Sequence, residues 1–331
     1  MARLARLAPT DADAEHTSGG KMAAAISAGG PGDNTLAAGT LELGGGRRCW
    51  LLAVLAIATL WPTAAGAEPR LLGRRDPLKA DASAAAKEEA IRLIPYQRLD
   101  SAARAKIDSV LADTALFRRL PVQVIPCDPE MYLFLVEHPD VVVNIWEVFG
   151  ITQLAVNEIA PDTFRVVEEG GTTGTMELLY ASHDTHVFFA DGECNGPMTG
   201  RPIRGRALVV LKSGYVRETD GQYYVTCRLD AFLQVDRAGV ELVTRTLQPI
   251  IGKVADANFA QTTAFLGSLS RTAATNPSGV VRLASRLSEV QPPVRQRFAE
   301  LAQQVAAKAT EAAVQPGEVQ VVAEEPATSV R

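Results

Sequence analysis

Between residues 151 and 236 apolar side chains tend to fall on every second position, and short clusters of turn-forming residues interrupt them. A helix cannot use that period, because its side chains recur every 3.6 or so residues, whereas those of a strand alternate across a sheet. The spacing predicts six successive strands, at 151–158, 163–168, 175–182, 186–190, 206–217 and 222–236. Ala160-Pro161-Asp162, Gly170-Gly171, Ser182-His183-Asp184, Asn195-Gly196-Pro197 and Asp220-Gly221 separate them. Asp-Gly is the strongest of these signals, since a tight hairpin needs positive φ angles. Links this short join antiparallel neighbours. The chain is therefore expected to be α+β, organised on an antiparallel meander.

The last strand alternates most clearly. Tyr223, Val225, Cys227, Leu229, Ala231, Leu233 and Val235 share one face, and Gln222, Tyr224, Thr226, Arg228, Asp230 and Gln234 take the other, with Phe232 as the exception. The pattern predicts one covered and one wet face. Ala207, Val209 and Leu211 continue the covered face, as do Met176, Leu178 and Tyr180. Arg228, Asp230 and Glu177 are expected to point outward as an exposed charge pattern.

Helical spacing flanks the meander. Asp100 is a candidate N-cap for a helix over 101–117, and a short strand follows at 121–125. Asp128-Pro129 opens a helical stretch to 149 that should break at His138-Pro139, because the residue before proline avoids the α region. After the sheet come a short helix at 240–251, a longer one at 253–271, and helical pieces at 280–287 and 294–313. Residues 68–99 read as a flexible linker and 315–331 as a polar tail.

At the other end, Arg47-Arg48 precede an apolar run from Cys49 to Trp61, and Ala65-Gly66-Ala67 supplies small residues for cleavage. This is the layout of a secretory signal, and the run is shorter than the roughly 20 apolar residues of a membrane span. The expectation is export to the periplasm or cell envelope, cleavage after Ala67, and no transmembrane segment afterwards. Met22 or a later codon is a candidate start.

Charge and motifs narrow the function classes. With 33 Lys+Arg against 38 Asp+Glu and a net charge of −5, the chain lacks the basic surplus that nucleic-acid binding uses. Nucleophile elbow, dinucleotide loop, phosphate loop and zinc-helix motifs are all missing. His183 and His186 lie three apart on or beside a strand, so they point to opposite faces and do not converge on a metal. Cys127, Cys194 and Cys227 read as structural thiols, and Trp146 as packing. No cofactor is implied.

The order of elements resembles the helix-grip fold of the polyketide cyclase, START and SRPBCC-like superfamily. A strand, two short helices entered through Pro126-Cys127-Asp128-Pro129, a six-strand meander and a long helix span about residues 120–273. The resemblance implies a helix-grip domain over 100–273, with a six- to seven-stranded sheet wrapped around the long helix; the helical extension over 274–314 departs from it. The resemblance also implies a hydrophobic cavity between sheet and helix. The cavity's walls would be Met176, Leu178 and Tyr180; Val209 and Leu211; Tyr223, Val225, Cys227 and Leu229; and Phe259 from the helix. Tyr180 and Tyr223 would offer phenol groups to a ligand.

The function so implied is an exported binding protein for a hydrophobic or amphipathic, lipid-like molecule. A cyclase- or hydrolase-type enzyme using the same cavity is the second reading. The third is a cell-envelope scaffold whose cavity is filled by its own side chains and whose C-terminal helices dock a protein partner.

Overall fold

The computed structural model describes residues 78–195, 202–219, 221–236 and 248–314, all within one unit of the chain. The expected signal segment, the expected tail, residues 68–77, residues 196–201 and most of the expected 240–251 helix lie outside them.

Chain order is α1 (Ala84–Arg92), a 3-10 turn (Tyr96–Arg98), α2 (Ser101–Ala112), β1 (Leu116–Arg119), β2 (Gln123–Pro126), α3 (Pro129–Glu137) and α4 (Pro139–Val148). Then come β3 (Leu154–Ala160), β4 (Thr163–Glu168), β5 (Thr172–Ala181), β6 (Thr185–Cys194), β7 (Ile203–Arg217) and β8 (Tyr223–Val235). The chain continues through α5 (Gln248–Thr275), α6 (Pro277–Ala284) and α7 (Pro292–Val314).

The protein is α+β, with one antiparallel sheet in the order β1-β8-β7-β6-β5-β4-β3, and β2 also on β8. β3 to β8 pair consecutively, as short turns require, and Gly221 holds the β7–β8 turn at φ 84°. β1 and β2 are two halves of one edge, paired with residues 230–233 and 224–227 of β8. Pro121 stands at the break, where its missing N–H cannot join the ladder. The Leu120 amide still reaches the Leu229 carbonyl, at 2.9 Å.

Local chemistry sets the helix starts. The Asp128 carboxylate accepts from the Glu130 and Met131 amides, with Pro129 at the first helical position. The chain breaks at His138-Pro139 and starts again as α4. Asp100 caps α2 by accepting from the Ala103 amide at 2.7 Å.

Three expectations need correction. First, residues 84–99 are not linker: Ala86, Ala90, Ile94 and Leu99 are buried in a second core with Phe117, Val187, Phe189, Leu208, Val210 and Phe232. α1 and α2 therefore cover the face expected to be wet, which accounts for Phe232 breaking the alternation.

Second, the helix from 101 ends at Ala112, and Leu116–Arg119 form a strand. Pairing with β8 and the contact of the Phe117 and Phe232 rings, 4.9 Å between centroids, outweigh a local spacing that suited a helix.

Third, Asp230 is buried under the N-terminal helices. Its carboxylate accepts two bonds from Arg119, at 2.6 and 3.0 Å, and Arg119 and Arg228 both reach Glu89 of α1. Glu177 pairs with Lys106 of α2 on the same side. Charge on this face clamps the helices to the sheet.

The other face carries the larger core, to which α3, α4, α5, α6 and α7 all contribute. α7 lies against α5, α6 and α3, with Phe298, Leu301, Ala302 and Val305 buried. No helix among the described residues is long and apolar enough to cross a membrane.

Candidate functional site

On the larger-core face, alternation and helical spacing bring two apolar surfaces together. β5 to β8 present Met176, Phe188, Ala190, Ala207, Val209, Leu211 and Leu229, residues that strand geometry places on one side. α5 presents Ala255, Phe259, Thr262 and Leu266, at intervals of three and four. Leu135, Val136, Pro139 and Val142 of α3 and α4, with Leu120, complete the wall. They line a partly open cavity of about 150 Å³. Alanines at 190, 207 and 255 leave the space that larger side chains would fill.

α5 is tied down beside this cavity. Arg118 Nε donates to Asp256 Oδ1 at 2.8 Å, and Nη2 makes a second bond to Oδ2. Gly252, one turn earlier, leaves room for the guanidinium: a Cβ there would stand 2.9 Å from Nη1. Arg118 and Arg119, adjacent on β1, thus hold helices on opposite sides of the sheet.

Of the residues expected to line a cavity, Met176, Val209, Leu211, Leu229 and Phe259 do so. Val225 and Cys227 are fully buried in the same core, and Leu178 is buried opposite Phe188. Tyr180 is a correction. A register shift between Leu178 and Tyr180 sets Tyr180 opposite Val187, and it packs against the α1–α2 core instead. Tyr223 is half-buried at the sheet end, with the Arg217 guanidinium 5.5 Å from its ring centroid.

Sequence reasoning missed the part of the wall that the two short helices supply. Leu135, Val136, Pro139 and Val142 come from the two short helices, and their placement depends on contacts far from any local pattern.

Polar groups gather near one end of the same sheet face. Tyr132 shares a 2.8 Å hydrogen bond with Ser213, and the Cys227 thiol donates to the Tyr132 oxygen at 3.4 Å. Burial pushes the Tyr132 phenol well above its ordinary range. His186 is fully buried, with Nε2 3.4 Å from Glu137 Oε1 and no hydrogen-bond partner for Nδ1. His183 lies elsewhere, its ring 4.2 Å from that of Tyr215. Among the described residues no group of three or more His, Cys, Asp or Glu is placed to hold a metal.

Asp140 is also fully buried and neither carboxylate oxygen has a hydrogen-bond partner, so desolvation raises its pKa. Two positions before Val142, it lies across α4 from the cavity.

Burial also governs the thiols. It pushes Cys127 up to about 12 and Cys227 up to about 11. Thiolate is the reactive form, so neither should be alkylated by iodoacetamide at neutral pH in the folded protein. Site-by-site mass spectrometry should find both labelled only after addition of denaturant. Labelling under native conditions would show that the α3–β8 core opens.

Chemically, the cavity offers apolar contact and the Thr262 hydroxyl, and no ionisable side chain is on its wall among the described residues. It can take up an apolar group and select by size.

No protein-family model matches the sequence, and no curated protein matches it. Among solved structures it is similar to a conserved protein from Geobacillus kaustophilus, at 10% identity and a TM-score of 0.35, covering 46% of this chain and 93% of that one. The Mll3558 protein from Rhizobium loti matches at 18% identity, TM-score 0.25, over 42% of this chain and 95% of that one. An uncharacterised protein from Rhizobium leguminosarum matches at 14% identity, TM-score 0.24, over 44% and 95%.

Proposed function

We propose that this is an exported helix-grip protein that binds a hydrophobic or amphipathic small molecule between its sheet and α5. The observation that carries the reading is the apolar cavity of about 150 Å³ at that interface. Support for a helix-grip arrangement comes from the order of elements: a split edge strand, two short helices, six strands in meander and a long helix. Support for export rests on the signal-like segment Arg47–Ala67.

Volume narrows the ligand. Sites for drug-sized molecules run to roughly 300–1,000 Å³, whereas an engineered apolar cavity of about 150 Å³ holds benzene. A molecule of about one ring fits the space, and a two-chain lipid would need α5 to move.

The two other readings have less support. A cyclase or hydrolase needs an acid–base group at the reacting atoms, and the described wall offers one hydroxyl. Docking through the C-terminal helices needs a free apolar face, and that of α7 is turned inward.

The test is toluene binding to the full chain, followed by saturation-transfer NMR, beside native mass spectrometry for a co-purified ligand. Wild-type protein should take up toluene saturably. Ala207→Phe places a ring in the cavity and should abolish uptake, at a stability cost of about 1–3 kcal/mol from overpacking. Absence of saturable uptake by the wild type, with no co-purified ligand, would overturn the reading.

A further inference from the structure

We infer that His138 and Asp140 form a proton-sensitive latch on the turn between α3 and α4. While the pair holds a proton the turn stays shut; loss of the proton loosens it and weakens ligand binding. The inference rests on the ligand-binding reading above and adds its regulation by pH.

Position is the first argument. The two residues flank Pro139, which lines the cavity, with Leu135 and Val136 before it and Val142 after it. A movement of this turn is therefore a movement of the wall. Its polar fastenings are few. His138 gives α4 no side-chain cap. The backbone bonds at the turn run from the His138 amide to the Phe134 carbonyl and from the Val141 amide to the His138 carbonyl.

The second argument is an unmet charge. Asp140 is fully buried, and neither of its oxygens has a hydrogen-bond partner. Nδ1 of His138 is buried and unpartnered as well. It lies 4.0 Å from Asp140 Oδ1, too far for a hydrogen bond and near enough for an ion pair. The His138 side chain is 28% exposed, which leaves solvent a way to exchange protons with the ring. The other charged group acting on Asp140 is Glu158, from the strand packed against α4, and it is a second carboxylate. Glu147, further along α4, is engaged by the Asn144 amide at 2.7 Å.

These surroundings set the sign. With one proton on either member, the pair carries no net charge. Removing that proton leaves a bare carboxylate, buried beside another and bonded to nothing. Desolvation outweighs the imidazole and raises the Asp140 pKa. A carboxyl with a higher pKa in the folded chain holds its proton more tightly there. Its contribution to stability is full below the ordinary carboxyl pKa and is lost as pH rises through the raised value. Histidine ordinarily changes charge between about pH 5 and 8, which makes that the range to test.

Toluene binding to the full chain is measured by titration calorimetry at about pH 5.5 and about pH 8, with wild type and Asp140→Asn. Wild-type affinity should fall at least about fivefold at the higher pH, the low end of coupling between two sites. Asp140→Asn keeps the shape without the charge, and its affinity should stay within about twofold across the range. In case that variant fails to fold, hydrogen exchange in the wild type gives a second reading. After correction for the intrinsic pH dependence, the amides of Val141, Val142 and Val143 should lose protection at the higher pH.

Toluene affinity and amide protection that both ignore pH would overturn the latch and leave the cavity reading intact. A pH effect that survives Asp140→Asn would also overturn it, since His183 and His186 remain in the variant. If toluene binds at neither pH, the cavity reading falls and exchange alone decides: lost protection at the turn supports the latch, and constant protection overturns it.

Discussion

Replacing Asp230 with alanine should cost about 3–5 kcal/mol of folding free energy, the penalty for breaking a buried ion pair from one side. The carboxylate is fully buried and the Arg119 side chain only 13% exposed. Its two bonds from Arg119 are geometrically good, and Arg228 Nε lies 3.8 Å from its other oxygen. Removing it leaves the Arg119 guanidinium facing β8 with only Glu89 and the Ala86 carbonyl as partners. An exposed cross-strand pair, as alternation alone would suggest, is worth less than about 1 kcal/mol. The two pictures therefore separate cleanly in urea unfolding. The expected result is a large fall in midpoint at constant slope, and Asp230→Asn, which keeps one acceptor, should fall less. A loss below about 1 kcal/mol would mean that the clamp on α1 is solvated.

The same cluster explains how a sheet with two apolar faces is closed on both. Arg119 reaches Glu89 on α1, whereas Arg118 turns to Asp256 on α5. Alternation along β1 makes this possible, since neighbours on a strand project to opposite sides. Two consecutive arginines at a sheet edge thus fix one helix per face, and α5 is the helix that roofs the cavity.

The meander was readable because alternation and turn chemistry are local. β4 lies at the expected residues, and β8 is within one residue of them. The break at His138-Pro139 was readable for the same reason, since the proline ring acts on its own neighbour. α1 was not, because its buried side is made of Ala86 and Ala90, whose small apolar surface leaves no periodic stripe. Nor was the strand at 116–119: Leu116 fits helical spacing, and only pairing with residues more than a hundred positions later decides. Tyr180 shows a sharper limit. A single bulge reverses the facing of everything beyond it, and nothing in the residues at 178–180 announces one. The site was half legible on the same grounds. Its strand side follows from alternation, while the short helices and the meeting of His186 with Glu137 depend on tertiary packing.

Phe298→Ala is the second large effect, at about 3–5 kcal/mol for removing a fully buried aromatic ring. The ring is stacked on Phe134 of α3, with centroids 5.9 Å apart and planes 4° from parallel. Around it Leu301, Ala302 and Val305 are buried from the same helix, and Lys308 reaches Asp128 at 3.1 Å and Glu130 at 3.5 Å at the start of α3. These contacts make α7 part of the core that backs the cavity, so its loss should weaken the domain as a whole. The expected observation is one cooperative unfolding transition, shifted to lower urea with unchanged slope. A detachable α7 would behave differently: the variant would lose helical signal early while the sheet kept its wild-type midpoint. That outcome would free the apolar face of α7 and return weight to a protein-docking role. A single shifted transition binds α7 to the fold, in the core that backs the cavity beneath α5.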